Sequence, residues 1–235
     1  MTLGIMQPYL FPYIGYFQLL SAVDRFVVYD DVTFIKQGWI NRNRILINGE
    51  ATFFTVPLAH KSSATAIRDT AISDATEHRR WAEKLLKSVD NAYRRAPEFS
   101  RTYPIVEQVL SRATSRVAEL AVDSIKAVAS FLDVPTPIVD TSSGYGNADL
   151  QGQDRVLAIC KAEQAARYVN PSGGRELYSR ERFGAEGIDL RFLEPRPIEY
   201  KQFGGPFVPW LSIVDVLMFN PVDRVREYLR ACDLT

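Results

Sequence analysis

A chain of 235 residues fits one large domain or two small ones. With 46% apolar and 24% charged residues it can bury a core, which excludes a disordered chain. Lys plus Arg and Asp plus Glu stand at 28 each, so the overall charge gives no nucleic-acid footprint, and no apolar run reaches the length of a bilayer span. No basic segment leads into an apolar stretch at the start, so no signal peptide is expected and the cytoplasm is the expected compartment. Cys160 and Cys232 lie far apart with no Cys-x-x-Cys pair, which argues against a zinc ribbon or a disulfide framework. Cys160, in the helical pattern "RVLAICKA", reads as a core residue.

In chain order, "TLGIM" (2–6) reads as a buried strand. A loop with Pro8 and Pro12 follows, and Pro12 suits a first helical turn because its missing N–H would be unpaired there anyway. "YIGYFQLLSAVD" is helical and "RFVVYDDV" is a second strand, a spacing that predicts a parallel strand–helix–strand unit. Alternating runs around Asn48-Gly49 predict a hairpin. "IRDTAI" (67–72) is expected to add a strand. Three amphipathic helices follow: "HRRWAEKLLKSVDNAY", "FSRTYPIVEQVLSRA" and "SRVAELAVDSIKAVASFL". Beyond them come strand "TPIVDTS", a polar loop from Ser142 to Gln153, helix "DRVLAICKAEQA", strand "RYVNP", helix "GRELYSRERFGAEG" and strand "IDLRFLE". A Pro- and Gly-rich segment leads into two final helices.

The expected fold is α/β, a Rossmann-like parallel sheet with an inserted hairpin and a helical region. It forms one domain: 1–47 and 135–195 as the α/β core, 48–134 as the insertion, 196–235 as C-terminal helices.

In such sheets ligands bind beyond the carboxyl ends of the strands. Three segments follow predicted strands and are expected to line one cleft. The first is "QPYLFPYIGY", where Gln7, Tyr9, Tyr13, Tyr16 and Gln18 supply hydrogen-bonding groups and Gly15 permits close approach. The second is "YDDVTFIKQGWINRNR". Asp30 and Asp31 are acids that could act on a proton or hold Mg²⁺, and Lys36, Arg42 and Arg44 suit phosphate. Strand alternation sends Asn41 and Asn43 to one face and the two arginines to the other. The third is "NPSGGRELY", with Gly173, Gly174, Arg175, Glu176 and Tyr178 entering a helix. His60, beside Lys61, Ser62 and Ser63, is kept as a candidate for proton transfer with Tyr13 and Tyr16, and His78 reads as a surface residue. Asp215, on an apolar helix, must be paired or protonated if buried, by core hydrogen bonds or by an arginine.

"PYIGYFQLL" is similar in layout to the His-x-Gly-His segment of HIGH-type nucleotidyltransferases, with Tyr13 and Tyr16 where the histidines would stand. A phenol does not become a cation near neutral pH, so ATP use is an alternative that this departure puts in doubt. The longer match is to the WbqC-like family. "IMQPYLFPYIGYFQLLSAVDRFVVYDDVTFIKQGWINRNRILINGE" resembles its start, and "TVPLAHKS", "NAYRRAPEF", "YVNPSGGRELY", "IDLRFLEP" and "PFVPWLSIVDVLMFN" continue it in order. The resemblance implies a role in bacterial O-antigen or other surface-polysaccharide synthesis. It implies transfer of an acyl or aminoacyl group, such as glycine, to a nucleotide-linked sugar. The partner expected is a small anionic molecule rather than nucleic acid or membrane. The sequence names no cofactor; ATP belongs to the HIGH-type alternative and Mg²⁺ to the pair Asp30 and Asp31, and a noncatalytic sugar-nucleotide-binding protein is a further alternative.

Overall fold

The computed structural model describes residues 1–60 and 65–235. β1 (Thr2–Met6), α1 (Ile14–Ser21) and β2 (Arg25–Val28) come first. The two strands pair in parallel, Leu3 opposite Arg25 and Met6 opposite Val28. β3 (Arg42–Ile47) and β4 (Glu50–Thr55) form a separate antiparallel sheet. Asn48 and Gly49 both have positive φ, 52° and 81°, as a two-residue turn matched to the strand twist requires.

α2 (Ala75–Tyr93), α3 (Phe99–Leu110) and α4 (Val117–Phe131) make the helical region. The chain then runs through β5 (Ile138–Val139), α5 (Gly152–Ala162), β6 (Arg167–Pro171), α6 (Arg180–Ala185) and β7 (Asp189–Pro195). It closes with α7 (Ile213–Phe219), α8 (Val222–Leu229) and β8 (Cys232–Leu234).

The main sheet has the order β5-β2-β1-β6-β7-β8 and is parallel except for the β7–β8 pair. β1 and β6 are neighbours, with the other strands running outward from each. The carboxyl ends of all five parallel strands therefore share one edge. One face of the sheet packs Leu3, Ile5, Val27 and Tyr168 against Val156, Ile159 and Cys160 of α5 and Phe183 of α6. The other packs Phe26, Val28, Val169 and Leu193 into the larger core with α1, α4, α7 and α8. Burial pushes the Cys160 thiol up to about 12, consistent with a core residue. Among the described residues no helix is long and apolar enough to cross a membrane.

Two expected elements take another form. "IRDTAI" is a 3₁₀ turn at Ile67–Asp69, with only isolated bridges from Ala71 to Arg116 and from Ile72 to Leu58. Thr70 explains this, because its hydroxyl and its N–H both bond locally, to Ala66 O and Ile67 O. "GRELYSRERFGAEG" is broken into a 3₁₀ turn at Ser172–Leu177 and α6, whose start Ser179 caps through Arg182 N–H. β8 was not expected; its three residues are too few to carry a strand pattern.

His78 is also a correction. It lies on the inner side of α2, 6% exposed and stacked on Trp81 at 5.7 Å. Burial lowers its pKa below the usual 6.5. The unfolded chain then takes up this proton before the folded one does. Stability should therefore fall as pH drops below about 6.5, until the lowered value has been passed. Urea titrations between pH 7 and pH 5 should show this slope, reduced in His78→Gln; identical slopes would refute it.

Candidate functional site

The loop from β1 into α1 and the segment before α7 are both held in an unusual backbone. Phe11 has φ 44° and Trp210 φ 61°, a left-handed conformation costly for bulky side chains. Both are braced. Phe11 N–H donates to Ser124 Oγ at 2.9 Å, and Phe11 O accepts from Asn43 Nδ2 at 2.6 Å and Ser212 Oγ at 2.8 Å. Trp210 O accepts from the Arg44 guanidinium at 2.9 Å. Backbone bonds from Ser212 to Arg44 and from Ile213 to Pro12 complete the frame. Such strain persists only where surrounding contacts over-determine it.

The frame brings the rings of Tyr13 and Trp210 together at 5.9 Å. Two cavities meet at this pair. The smaller, about 240 Å³, is edged by Tyr9, Tyr13, Trp39, Asn43, Arg44 and Trp210. The larger, about 430 Å³ and mainly apolar, extends over Ile14, Gln18, Ile198, Tyr200, Phe207 and Leu211. Burial raises the phenol pKa values of Tyr9 and Tyr13 above the ordinary value, and Tyr13 N–H donates to Tyr9 Oη at 3.3 Å. At neutral pH the Tyr13 phenol is a hydrogen-bond donor, not a base.

Gly15 has a specific reason. A Cβ there would lie 2.2 Å from Tyr13 Oη. The phenol of Tyr13 thus folds over Gly15 and is aimed by it. Gly15→Ala has to push the far end of the Tyr13 ring aside, so in chemical unfolding it should fall short of the roughly 1 kcal/mol gain that alanine brings at an open helical position. Added to Tyr13→Ala, the same change should bring more of that gain. Equal effects in the two backgrounds would sink this account.

β3 supplies the cations. Arg42 and Arg44 project to one side, where Trp39 and Phe53 stack at 6.0 Å. The Arg42 guanidinium lies 5.0 Å from the Phe53 ring centre and that of Arg44 5.3 Å from the Trp39 centre. Trp39 and Phe53 are 44% and 50% exposed. Neither arginine forms an ion pair among the described residues. Asn41 and Asn43 turn the other way and are buried. Asn41 Nδ2 donates to Val56 O at 3.1 Å, and Asn43 Nδ2 to Leu10 O and Phe11 O. Their amides are committed to the backbone, and Asn43 also edges the smaller cavity.

The model of the WbqC-like protein family matches residues 7–227. The chain belongs to the WbqC-like protein family. It is 30% identical over 232 residues to the uncharacterized protein Rv1507c of Mycobacterium tuberculosis (strain ATCC 25618 / H37Rv), covering 97% of each chain. No solved structure matches it.

Other expected site residues of this WbqC-like chain are placed elsewhere. Gln18 lines the larger cavity but is fully buried, and its Nε2 donates to Tyr228 O at 2.9 Å and Ala231 O at 3.0 Å, closing the end of α8. Tyr16 is a core residue at 3% exposure, against Tyr9, Phe17 and Phe26. α1 thus turns Tyr16 into the core beside β2 and Gln18 towards the end of α8, and Tyr16 Oη and Gln18 Oε1 have no hydrogen-bond partner among the described residues. Gln7 is half-buried and Lys36 exposed. His60 is exposed, and its neighbours Lys61, Ser62 and Ser63 lie outside the described residues.

Asp31 is held by a residue the sequence reading passed over. Arg155, at the start of α5, pairs with its carboxylate, with side chains 4% and 6% exposed. Arg155 also donates to Asp31 O and Asn147 Oδ1 at 3.2 Å each. Its signal was an arginine directly before the buried run Val156-Leu157. Asp30 accepts from Thr141 Oγ1 at 2.8 Å and Ser142 N at 3.1 Å. With a guanidinium on Asp31, this pair does not suit Mg²⁺.

The segment after β6 is also occupied. Arg175 bonds Glu194 and Thr235 and lies 4.8 Å from the Phe192 ring centre. A Cβ on Gly174 would lie 2.2 Å from Asn170 Nδ2, whereas one on Gly173 would meet nothing within 4 Å. Tyr178 packs edge-on to Tyr168 and Phe183, and Glu176 is exposed. The shared sheet edge does not become one cleft. Tyr13 meets Arg44 and Trp210, Asp30 faces a different cavity, and Arg175 is in the wall of neither.

Proposed function

We propose that the Tyr13–Trp210 cleft binds a nucleotide-linked sugar, and that the protein acts on it in surface-polysaccharide or related amino-sugar synthesis, as an acyl or aminoacyl transferase. The observation that carries this reading is Arg44, in the wall of the cleft beside Trp39 and without a carboxylate partner among the described residues, with Arg42 next to it over Trp39 and Phe53 and bonded to Gly38 O and Gln37 O. Guanidinium groups match a diphosphate, flat exposed rings match a base, and Tyr9 and Tyr13 offer hydroxyls to a sugar. Tyr13 would hold and orient the ligand through its phenol proton.

Titration calorimetry with uridine, thymidine and guanosine diphosphate sugars tests this. Arg44→Ala should weaken binding by about 1.5–3 kcal/mol if that arginine makes a charged hydrogen bond. Asn43→Ala should act on stability, because it leaves Leu10 O without its donor and Phe11 O with Ser212 Oγ alone. Absence of binding by all of these sugars, beside clear binding of ATP, would replace this reading with the HIGH-type alternative.

A further inference from the structure

The carboxyl edge of the sheet carries a further cavity, about 540 Å³, with Asp30, Arg68, Arg112, Glu119, Asp123, Lys126 and Asp140 in its wall. Five of these seven charges are in ion pairs. Arg112 pairs with Asp123, Lys126 with Asp140, and Arg68 with Asp69. Glu119, exposed and also in the wall, accepts from the Thr114 hydroxyl. Asp30 remains. It is only 4% exposed, and its donors, Thr141 Oγ1, Ser142 N and Ser142 Oγ, all approach Oδ1. Oδ2 has no hydrogen-bond partner among the described residues. Oδ2 is therefore the oxygen left open to the cavity, where a cation can meet it. Burial already pushes this carboxyl above its usual range.

We propose that this cavity binds a hydroxylated primary amine, with its ammonium on Asp30 Oδ2. Of the wall's two acids without an ion pair, Asp30 is the buried one, and its open oxygen matches one ammonium group. A divalent cation fits poorly, because it needs several oxygen ligands and no cluster of three metal-binding side chains occurs among the described residues. Thr114, Thr141 and the paired charges offer donors and acceptors for hydroxyls. The volume lies in the range of small-molecule sites and accommodates a monosaccharide. The inference concerns a cavity distinct from the Tyr13 cleft and does not depend on what that cleft binds.

Glucosamine, glucose and N-acetylglucosamine share a ring and differ at one position: ammonium, hydroxyl or amide. Titrated into the full-length protein, glucosamine should bind at least about tenfold more tightly than the other two. Asp30→Asn can keep an oxygen towards Thr141 and Ser142 while placing an amide NH₂ in the cavity, so it should remove that preference. Ala113→Trp, at an exposed position in the same wall, keeps Asp30 and should weaken glucosamine by filling the opening. It serves if Asp30→Asn does not fold, which thermal melts will show. Three sugars binding alike, no glucosamine binding by the wild-type protein, or undiminished binding in a folded variant would each overturn the proposal. A nucleotide sugar titrated in parallel separates this failure from failure of the Tyr13 cleft.

Discussion

Arg155→Ala should lower folding stability by about 3–5 kcal/mol, because it leaves the Asp31 carboxylate buried without its counter-charge. The guanidinium is only 4% exposed and ties α5 to the end of β2, with Tyr29 beneath it at 5.3 Å. A second substitution separates charge from packing. In the Arg155→Ala background, Asp31→Asn should restore part of the loss, since no unpaired charge then remains. Urea unfolding of the single and double variants reads both effects. A loss below about 1 kcal/mol for Arg155→Ala would place this pair with weak surface pairs instead.

Asp215→Ala should have an effect of similar size. The carboxylate is fully buried in α7. It accepts from Tyr93 Oη at 2.9 Å, Tyr200 Oη at 2.6 Å and Gln202 Nε2 at 2.9 Å. Tyr93 Oη in turn accepts from Leu46 N–H of the hairpin at 2.7 Å. Alanine would strand these donors, at about 1–3 kcal/mol for each one left unsatisfied. A total of about 3–5 kcal/mol corresponds to a melting point roughly 10 °C lower. Asp215→Asn keeps an acceptor and should lose much less. If the asparagine variant unfolded as readily as the alanine one, negative charge rather than hydrogen bonding would be what the site requires. Tyr200 also lines the larger cavity, so the alanine variant should disturb that wall as well.

The sequence determined those features whose cause lies within a few residues. Strand periodicity placed β1 and β2, and the helical crossover between them called for parallel pairing. Asn48-Gly49 placed the hairpin because both residues tolerate positive φ. Alternation along β3 separated the arginines from the asparagines before any partner was known. The ordered run of long motifs identified the family. The tertiary structure decided which groups meet. Asp31 and Arg155 are 124 residues apart, and Gln18 reaches carbonyls more than 200 residues away. Trp210 comes to Tyr13, and two tyrosines and a glutamine, not an arginine, come to Asp215. These encounters depend on how the helices and the hairpin pack around the sheet. Local propensity specifies an element and its faces, but a partner across the core is fixed only when the whole chain has closed.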